Sequence, residues 1–167
     1  MLRETCGSAG SAAEYGINLL ATRRVAIHDS VAKGGHTDAG IYLGGIDGTG
    51  SGATIVKGNQ ALDNTVGIVV EQSHGDIRVL DNEFFRNTVP GVQDSGGIFV
   101  NFASGVLFAG NSITDNGSFG VDLTAGSDNN VFNDNVITGN DSDVIDAGVG
   151  NCGSGNTIGA GPQIPAC

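Results

Sequence analysis

Apolar and polar residues alternate in short stretches along this chain, and each of these stretches begins with a glycine. The stretch recurs at intervals of roughly 23 to 30 residues. Its five copies are Gly16–Leu19, Gly40–Leu43, Gly67–Val70, Gly97–Val100 and Gly120–Leu123. Because alternation with a period of two is typical of β-strands with one buried face, each copy predicts a short strand. In each copy the first and the third residue after the glycine are expected to point inward.

A second repeated feature is a pair of asparagines five positions apart. The four pairs are Asn59 and Asn64, Asn82 and Asn87, Asn111 and Asn116, and Asn135 and Asn140. An apolar residue lies three positions before the first asparagine of each pair, and another lies two positions after it. These are Val56, Val79, Phe108 and Phe132 before it, and Ala61, Phe84, Ile113 and Ile137 after it. Without insertions the unit is about 23 residues long and reads as three short strands.

One such unit cannot fold alone. Its four to six apolar side chains contribute roughly 1.5–3 kcal/mol each, whereas ordering its backbone costs about 1–2 kcal/mol per residue. The units must therefore stack on one another. We place the first asparagine of each pair at a bend between two strands, where stacked amides form a ladder of Asn59, Asn82, Asn111 and Asn135. The prediction is an all-β solenoid, a single-stranded parallel β-helix of about six coils with three short strands per coil.

The chain divides into three predicted parts. Residues 1–15 form a partial or irregular N-terminal segment, residues 16–150 form the coils, and residues 151–167 form a closing segment. Two insertions interrupt the coils, a glycine-rich loop at residues 44–52 and a second loop at residues 88–95. No amphipathic capping helix precedes the first coil, so the sequence is expected to be a fragment of a longer solenoid.

The charge of the chain limits its partners. Its formal net charge is −11, with 7 Lys and Arg against 18 Asp and Glu. Nucleic acid is not an expected partner, because binding it needs clustered Lys and Arg. Anionic membranes and, without bridging cations, polyanionic sugars are disfavoured for the same reason.

No apolar run approaches the roughly 20 residues that span a bilayer, so membrane insertion is not expected. The first residues do not form a secretory signal.

The segment Val131–Asn140 has apolar residues on both sides of Asn135 and ends with Asn140. This pattern resembles a known repeat. It is similar to the right-handed parallel β-helix repeats of the pectin-lyase-like superfamily, and the resemblance extends over Gly16–Ile158. Members include polysaccharide lyases, glycoside hydrolases, uronate epimerases, phage tailspikes and adhesins. The resemblance implies a right-handed coil but does not choose among these functions.

The end of the chain, from Asn151 to Cys167, is similar to the closing segment of some exported members of that superfamily. The resemblance implies a disulfide between Cys152 and Cys167, with two free thiols as the alternative. A disulfide would indicate an oxidising compartment and an extracellular or cell-surface location. Cys6 would then be left over, either free or paired with residues beyond this sequence.

The resemblance also places a candidate ligand site on the outward face of the first strands. The candidates are Asn18, Tyr42, Glu71, Phe99, Asn101 and Asp122. Exposed aromatic rings such as Tyr42 and Phe99 can stack on sugar rings, and the polar residues can bind hydroxyl groups. The alternative is that these are ordinary exposed strand residues, covered by the loop at 88–95 or by a neighbouring chain.

Catalysis and cofactors receive little support from the sequence. A hydrolase needs two carboxylates at a defined separation, but Glu71 and Asp122 lie two coils apart, about 10 Å. These two residues could bind calcium, yet no Arg or Lys lies on their face to act as the base of a lyase. His28 and His36 lack metal-site neighbours. We therefore expect no cofactor and no metal.

The leading interpretation is an exported module that binds a polysaccharide or glycan, or a surface scaffold. The alternative is a fragment of a polysaccharide-processing lyase, hydrolase or epimerase.

Overall fold

The computed structural model describes residues 3–5, 13–50, 52–92 and 94–167, with residues 3–5 described as a backbone strand. Every regular element in these ranges is a β-strand. The strands are β1 Arg3–Thr5, β2 Tyr15–Leu20, β3 Ala26–His28, β4 Val31–Lys33, β5 Ala39–Gly44, β6 Asp47–Gly48, β7 Thr54–Lys57, β8 Gln60–Leu62, β9 Val66–Glu71, β10 His74–Leu80, β11 Glu83–Phe85, β12 Gly96–Asn101, β13 Ser104–Ala109, β14 Ser112–Thr114, β15 Phe119–Leu123, β16 Val131–Asn133, β17 Val136–Thr138, β18 Ser142–Asp146, β19 Cys152–Ser154 and β20 Thr157–Ile158. The described part of the chain contains no helix that could cross a membrane.

The strands form three parallel sheets, and the chain visits each sheet once per coil. We name the sheets by their place in the coil. The first sheet has the order β18-β15-β12-β9-β5-β2, the second β19-β16-β13-β10-β7-β3 with β6 also beside β10, and the third β1-β4-β8-β11-β14-β17-β20. All of the strand pairs are parallel, and each joins equivalent strands of successive coils. The predicted parallel β-helix with three short strands per coil is confirmed, and its geometry fits the right-handed form.

The core is a continuous apolar column along the solenoid axis. Ile41 pairs in register with Ile68, Ile68 with Ile98 and Ile98 with Val121, and all four side chains are fully buried. In the second sheet the rings of Phe108 and Phe132 stack with their centroids 4.6 Å apart. Because each coil covers the apolar side chains of the coil beside it, stacking supplies the burial that one coil lacks.

The asparagine ladder runs between the second and third sheets. Asn59, between β7 and β8, donates from its backbone N and its Nδ2 to Oδ1 of Asn82 at 2.9 and 3.0 Å. Its Nδ2 also donates to the carbonyl of Ile27 in the preceding coil. The same contacts repeat at Asn82, Asn111 and Asn135. The predicted ladder is therefore present, and Asn156 extends it by one coil.

A second ladder, which the sequence did not reveal as a ladder, runs between the third and first sheets. It contains the other asparagine of each pair: Asn64, Asn87, Asn116 and Asn140. Nδ2 of Asn140 donates to Oδ1 of Asp143 at 2.8 Å, which ends the series. The constant spacing of five residues within each pair is explained by this arrangement, because both asparagines are fixed to the ends of the same three-residue strand.

The second residue of β2, β5, β9, β12 and β15 is a glycine, which we call the ladder glycine because it makes room for the second ladder. A Cβ on Gly67 would lie 2.6 Å from the carbonyl oxygen of Gly97 and 2.9 Å from Nδ2 of Asn87. Any larger residue would separate the coil from its neighbour or displace the amide. The repeated glycine is therefore a packing requirement.

The glycine-rich insertion is partly built into the fold. Ile46 is fully buried in the core, and β6 pairs with the start of β10. Beyond β6, Thr49 and Gly50 form a turn.

Residues 151–167 contain β19 and β20 and then a strap that covers the end of the solenoid. Ile158 and Ile164 pack against the core, and the backbone N of Gly153 donates to the carbonyl of Pro165. A disulfide joins Cys152 to Cys167. Cys6 lies outside the described residues.

Candidate functional site

The candidate site lies on the outward face of the first sheet. Strand register aligns one row of outward side chains along the axis. The row consists of Asn18, Tyr42, Val69, Phe99, Asp122 and Ile145. The predicted aromatic residues Tyr42 and Phe99 therefore flank Val69, with one strand between them. Since neighbouring strands are about 4.8 Å apart, the two aromatic positions are separated by roughly 10 Å.

A second outward row lies three residues earlier in each strand. It consists of Tyr15, Ala39, Val66, Gly96 and Phe119. Residues three apart would normally face opposite sides of a strand. Here they share a face because the ladder glycine between them has no partner in the strand register. The inward and outward alternation of side chains is therefore interrupted at this glycine. Part of this row forms a small apolar cluster outside the main core, against which Tyr15, Tyr42 and Phe99 pack.

These two rows create a slot between two aromatic pairs, which we call the aromatic slot. On one side the rings of Tyr15 and Tyr42 lie with centroids 4.4 Å apart, and on the other side Phe99 and Phe119 lie 6.1 Å apart. The floor is made by Val66 and Val69. The cavity has a volume of about 320 Å³, and its lining consists of Asp38, Tyr42, Val66, Val69, Glu71, Asp94 and Phe99.

Two glycines position the aromatic walls. A Cβ on Gly96 would lie 2.3 Å from the ring of Phe119, so this ring occupies the space that a side chain at position 96 would take. A Cβ on Gly44 would likewise lie 2.4 Å from Cε1 of Tyr42. The absence of a side chain at positions 44 and 96 therefore leaves the space that the two rings occupy.

A row of hydrogen bonds fixes the polar end of the slot. The hydroxyl of Tyr42 donates to Oε2 of Glu71 at 2.6 Å, and Nδ2 of Asn101 donates to Oε1 of the same carboxylate at 2.7 Å. Thr124 in turn donates its hydroxyl to Oδ1 of Asn101 at 2.9 Å. Since both oxygens of Glu71 are held, its orientation is set before any ligand arrives. Each oxygen keeps a further lone pair that can accept a hydrogen bond.

The charged side chains that line the slot are all acidic. Burial raises the pKa of Asp38, an effect that the hydroxyl of Tyr15 opposes by donating a hydrogen bond and that Glu14 and Glu71 reinforce by charge repulsion. Burial also raises the pKa of Tyr42 to about 12, and its hydrogen bond to Glu71 adds to this shift. Asp94, from the loop at residues 88–95, closes one side of the cavity. The hydroxyls of Tyr15 and Tyr42 are therefore hydrogen-bond donors at neutral pH.

The sequence-predicted residues divide into three groups. Tyr42, Glu71 and Phe99 line the slot itself, and Asn101 acts on it through Glu71. Asn18 lies one strand beyond Tyr42 and is exposed, whereas Asp122 lies one strand beyond Phe99. Neither Asn18 nor Asp122 lines the cavity.

Sequence reasoning missed Asp38, Asp94 and the second outward row. Asp38 lies two residues before Gly40, so the period-two rule, which was counted forward from that glycine, did not include it. Asp94 belongs to an insertion, for which the repeat offers no template. A search of the two residues before each ladder glycine could have found Asp38 and Val66, but the position of Asp94 is set by the path of its loop.

Comparison with known proteins identifies one family. The sequence model of the NosD family, described as periplasmic copper-binding protein (NosD), matches residues 7–159. Searches of the curated proteins and of the solved structures found no match. The expected likeness to parallel β-helix proteins is thus confirmed, while the pectin-lyase-like superfamily is not named by the match.

The family description also corrects one prediction. We expected no cofactor and no metal, with calcium unsupported, but the matching family is described as copper-binding, so that prediction is wrong at the level of the family. Copper is bound in proteins by imidazole, thiolate and thioether groups. His28 lies in β3, His36 between β4 and β5, and His74 in β10. Across residues 13–50, 52–92 and 94–167, no three His, Cys, Asp or Glu residues are grouped to hold a metal.

Among the described residues, sulfur side chains add no copper ligand to this set. Cys152 and Cys167 are joined in a disulfide, and the remaining sulfur residues, Met1 and Cys6, lie outside the described residues. The described residues therefore do not fit a copper ion, and we derive no chemistry through one. The match covers almost all of the three-sheet solenoid, and the chain therefore belongs to the NosD family, whose members are described as periplasmic copper-binding proteins.

Proposed function

We propose that this protein is an exported β-helix module that binds a carbohydrate in the aromatic slot and performs no catalysis of its own. The observation that carries the proposal is the slot, which Tyr42 and Phe99 line together with an apolar floor and a fixed carboxylate, and in which each of the two rings packs against a second aromatic ring. The parallel β-helix also supports membership of the pectin-lyase-like superfamily, many of whose members act on polysaccharides. That membership is part of the proposal.

The dimensions and chemistry of the slot suit a sugar ring. An aromatic face and the C–H groups of a pyranose each need about 3.5–4 Å of contact distance. The roughly 10 Å between the strands of Tyr42 and Phe99 therefore accommodates one ring above Val69. Ligand sites commonly combine apolar walls with a few convergent polar groups that set orientation. In the aromatic slot Glu71 and Asp38 are such groups, because each can accept hydrogen bonds from sugar hydroxyls.

Export of the protein is supported by two observations. The family is described as periplasmic, and the terminal strap is held by a disulfide of the kind that persists in oxidising compartments. A periplasmic location would give the slot access to cell-envelope glycans.

Saccharide titration tests the proposal. We expect a panel of neutral, amino and acidic oligosaccharides, measured by isothermal titration calorimetry, to include ligands that bind the wild type and lose about tenfold or more in affinity with Tyr42→Ala and Phe99→Ala. Phe85→Ala is the matched control, because Phe85 lies in the third sheet beside Arg86 and away from the slot. Equal binding by all four proteins, or no binding of any saccharide, would overturn the proposal.

A polysaccharide hydrolase is the second candidate. Its support is that Asp38, whose pKa is raised by burial, shares one cavity with Glu71. Two neighbouring carboxyl groups, one of which keeps its proton to a higher pH than usual, are the general requirement for cleaving a glycosidic bond. An increase in reducing ends when bound oligosaccharides are incubated with the wild type, abolished by Asp38→Asn, would favour this candidate over pure binding.

A further inference from the structure

The polar groups of the aromatic slot differ in one respect from those of an ordinary sugar site. Its three charged residues, Asp38, Glu71 and Asp94, are all carboxylates, and its described lining includes no Lys, Arg or His. Ionised carboxylates only accept hydrogen bonds. The slot therefore offers several acceptors that converge on one small volume.

The hydrogen-bond donors near the slot are already used within the protein. The Tyr42 hydroxyl and Nδ2 of Asn101 both donate to Glu71. The hydroxyl of Tyr15 lies 3.3 Å from Oε1 of Glu14 and also donates towards Asp38. A ligand in this cavity thus meets acceptors and aromatic faces, but few unengaged donors. A neutral sugar, whose oxygens need donors as much as its hydroxyls need acceptors, would leave part of its polar surface unsatisfied.

From this arrangement we propose that the aromatic slot selects a saccharide that carries a positive charge, namely an amino sugar with an unmodified ammonium group. The inference rests on the proposed carbohydrate binding and specifies its ligand class. An ammonium group has three donors and no acceptor, which complements the carboxylates of Asp38, Glu71 and Asp94. The aromatic walls add to the attraction, because a cation is stabilised near the face of a Tyr or Phe ring.

The charge of the whole chain acts in the same direction. A formal net charge of −11 attracts cationic ligands over long distances and repels uronic acids and sulfated sugars. Acetylation of the amine removes the positive charge and adds a carbonyl acceptor, for which the slot has no matching donor. The amine and its acetylated form should therefore be separated clearly by this site.

Titration with matched oligosaccharides tests the selection. Oligomers of glucosamine, of N-acetylglucosamine and of glucose share one backbone and differ only at carbon 2. We expect glucosamine oligomers to bind wild-type protein about tenfold or more tighter than the other two, and to lose most of this advantage when the salt concentration is raised. The charge-neutralising variants Asp94→Asn and Asp38→Asn should each reduce glucosamine affinity several-fold.

The control is Glu83→Gln, which removes one negative charge at an exposed position of β11 in the third sheet and should leave binding unchanged. Thermal unfolding of each variant verifies that it folds. Equal binding of the three oligomers would overturn the proposed selection of amino sugars while carbohydrate binding stands. The same holds if Glu83→Gln lowers the affinity for glucosamine oligomers as much as Asp94→Asn does. If none of them binds and no other saccharide does, the carbohydrate-binding proposal itself fails.

Discussion

The hydroxyl of Tyr42 donates a 2.6 Å hydrogen bond to Oε2 of Glu71, and this bond links two neighbouring coils on the outward face of the first sheet. The contact is possible because the ring of Tyr42 lies over Gly44, the residue that pairs with Glu71 in the strand register. Asn101 holds the other oxygen of the carboxylate from the opposite coil. Glu71 is thus positioned by residues on both sides of its own strand.

Removing only the hydroxyl separates the role of this bond from that of the ring. In Tyr42→Phe the aromatic wall remains, but Glu71 loses one of its two donors. We expect a loss of about 1 kcal/mol in unfolding free energy, because the bond is charge-assisted but partly exposed to solvent. Saccharide affinity should fall less than in Tyr42→Ala. Urea denaturation and calorimetry measure the two effects, and equal affinity losses in the Phe and Ala variants would contradict this division.

The first asparagine ladder should make a large contribution to stability. Asn111 donates to Val79 and Asn135 and accepts from Asn82, and it is almost fully buried. Asn111→Ala leaves several of these buried groups without partners, so we expect a loss of about 3 kcal/mol or more. Exposed Asn18→Ala provides the comparison and should change stability by less than about 0.5 kcal/mol. Urea denaturation of the two variants provides the measurement, and similar losses in both would show that the ladder is not stabilising.

Most of the fold could be predicted from the sequence because each coil repeats the same physical requirement. Gly67, Asn82 and Phe84 have counterparts in neighbouring coils, and four or five copies distinguish a packing rule from coincidence. The site could be predicted only in part. Tyr42 and Phe99 follow from strand alternation, whereas Asp94 comes from an insertion present in a single coil, where no repeat constrains the backbone.

The second ladder is incomplete at one end, and this gives a stabilising prediction. His36 occupies the ladder position one coil before Asn64, and its Nε2 lies as close to a Cβ built on Gly16 as Nδ2 of Asn64 does to one built on Gly40. Among the described residues, neither ring nitrogen of His36 nor Oδ1 of Asn64 has a hydrogen-bond partner, although all three atoms are buried.

Replacing His36 by asparagine should therefore complete the ladder. In the other coils the backbone N and Nδ2 of one asparagine donate to Oδ1 of the next, and His36→Asn would supply the missing Nδ2 donor to Oδ1 of Asn64. We expect a gain of about 1 kcal/mol or more in unfolding free energy. His28→Asn, at an exposed position of β3, is the control and should have little effect. A destabilised His36→Asn protein would show that the imidazole fills space that the amide cannot.

The disulfide should stabilise the strap without affecting the slot. Cys152 and Cys167 are 15 residues apart, and closing a loop of this length is worth about 3 kcal/mol on the chain-entropy estimate. We expect the double variant Cys152→Ser/Cys167→Ser to unfold at a lower temperature and to retain wild-type saccharide affinity. A reducing agent should lower the unfolding temperature of the wild type and leave that of the double variant unchanged. An unchanged wild type under full reduction would contradict the prediction.

Stability should depend on pH through Asp122. Burial, and then the negative charge of Asp94, raise the pKa of Asp122 above the ordinary carboxyl value of 3.8. The folded protein therefore holds this proton more tightly than the unfolded chain does. The associated stability is fully present below pH 3.8 and is lost as the pH rises through the raised pKa of the folded state. At neutral pH the ionised carboxylate thus destabilises the fold.

Asp122→Asn removes this ionisation while keeping the shape of the side chain. The variant should be more stable than the wild type at pH 7, and the difference should disappear near pH 3, where Asp122 is protonated in both states. Urea midpoints at several pH values measure the difference. Asp141→Asn, at an exposed position outside the slot, is the control for the loss of one negative charge. If both variants raise the midpoint equally at pH 7, the effect reflects overall charge and not the partly buried environment that Asp122 shares with Asp94.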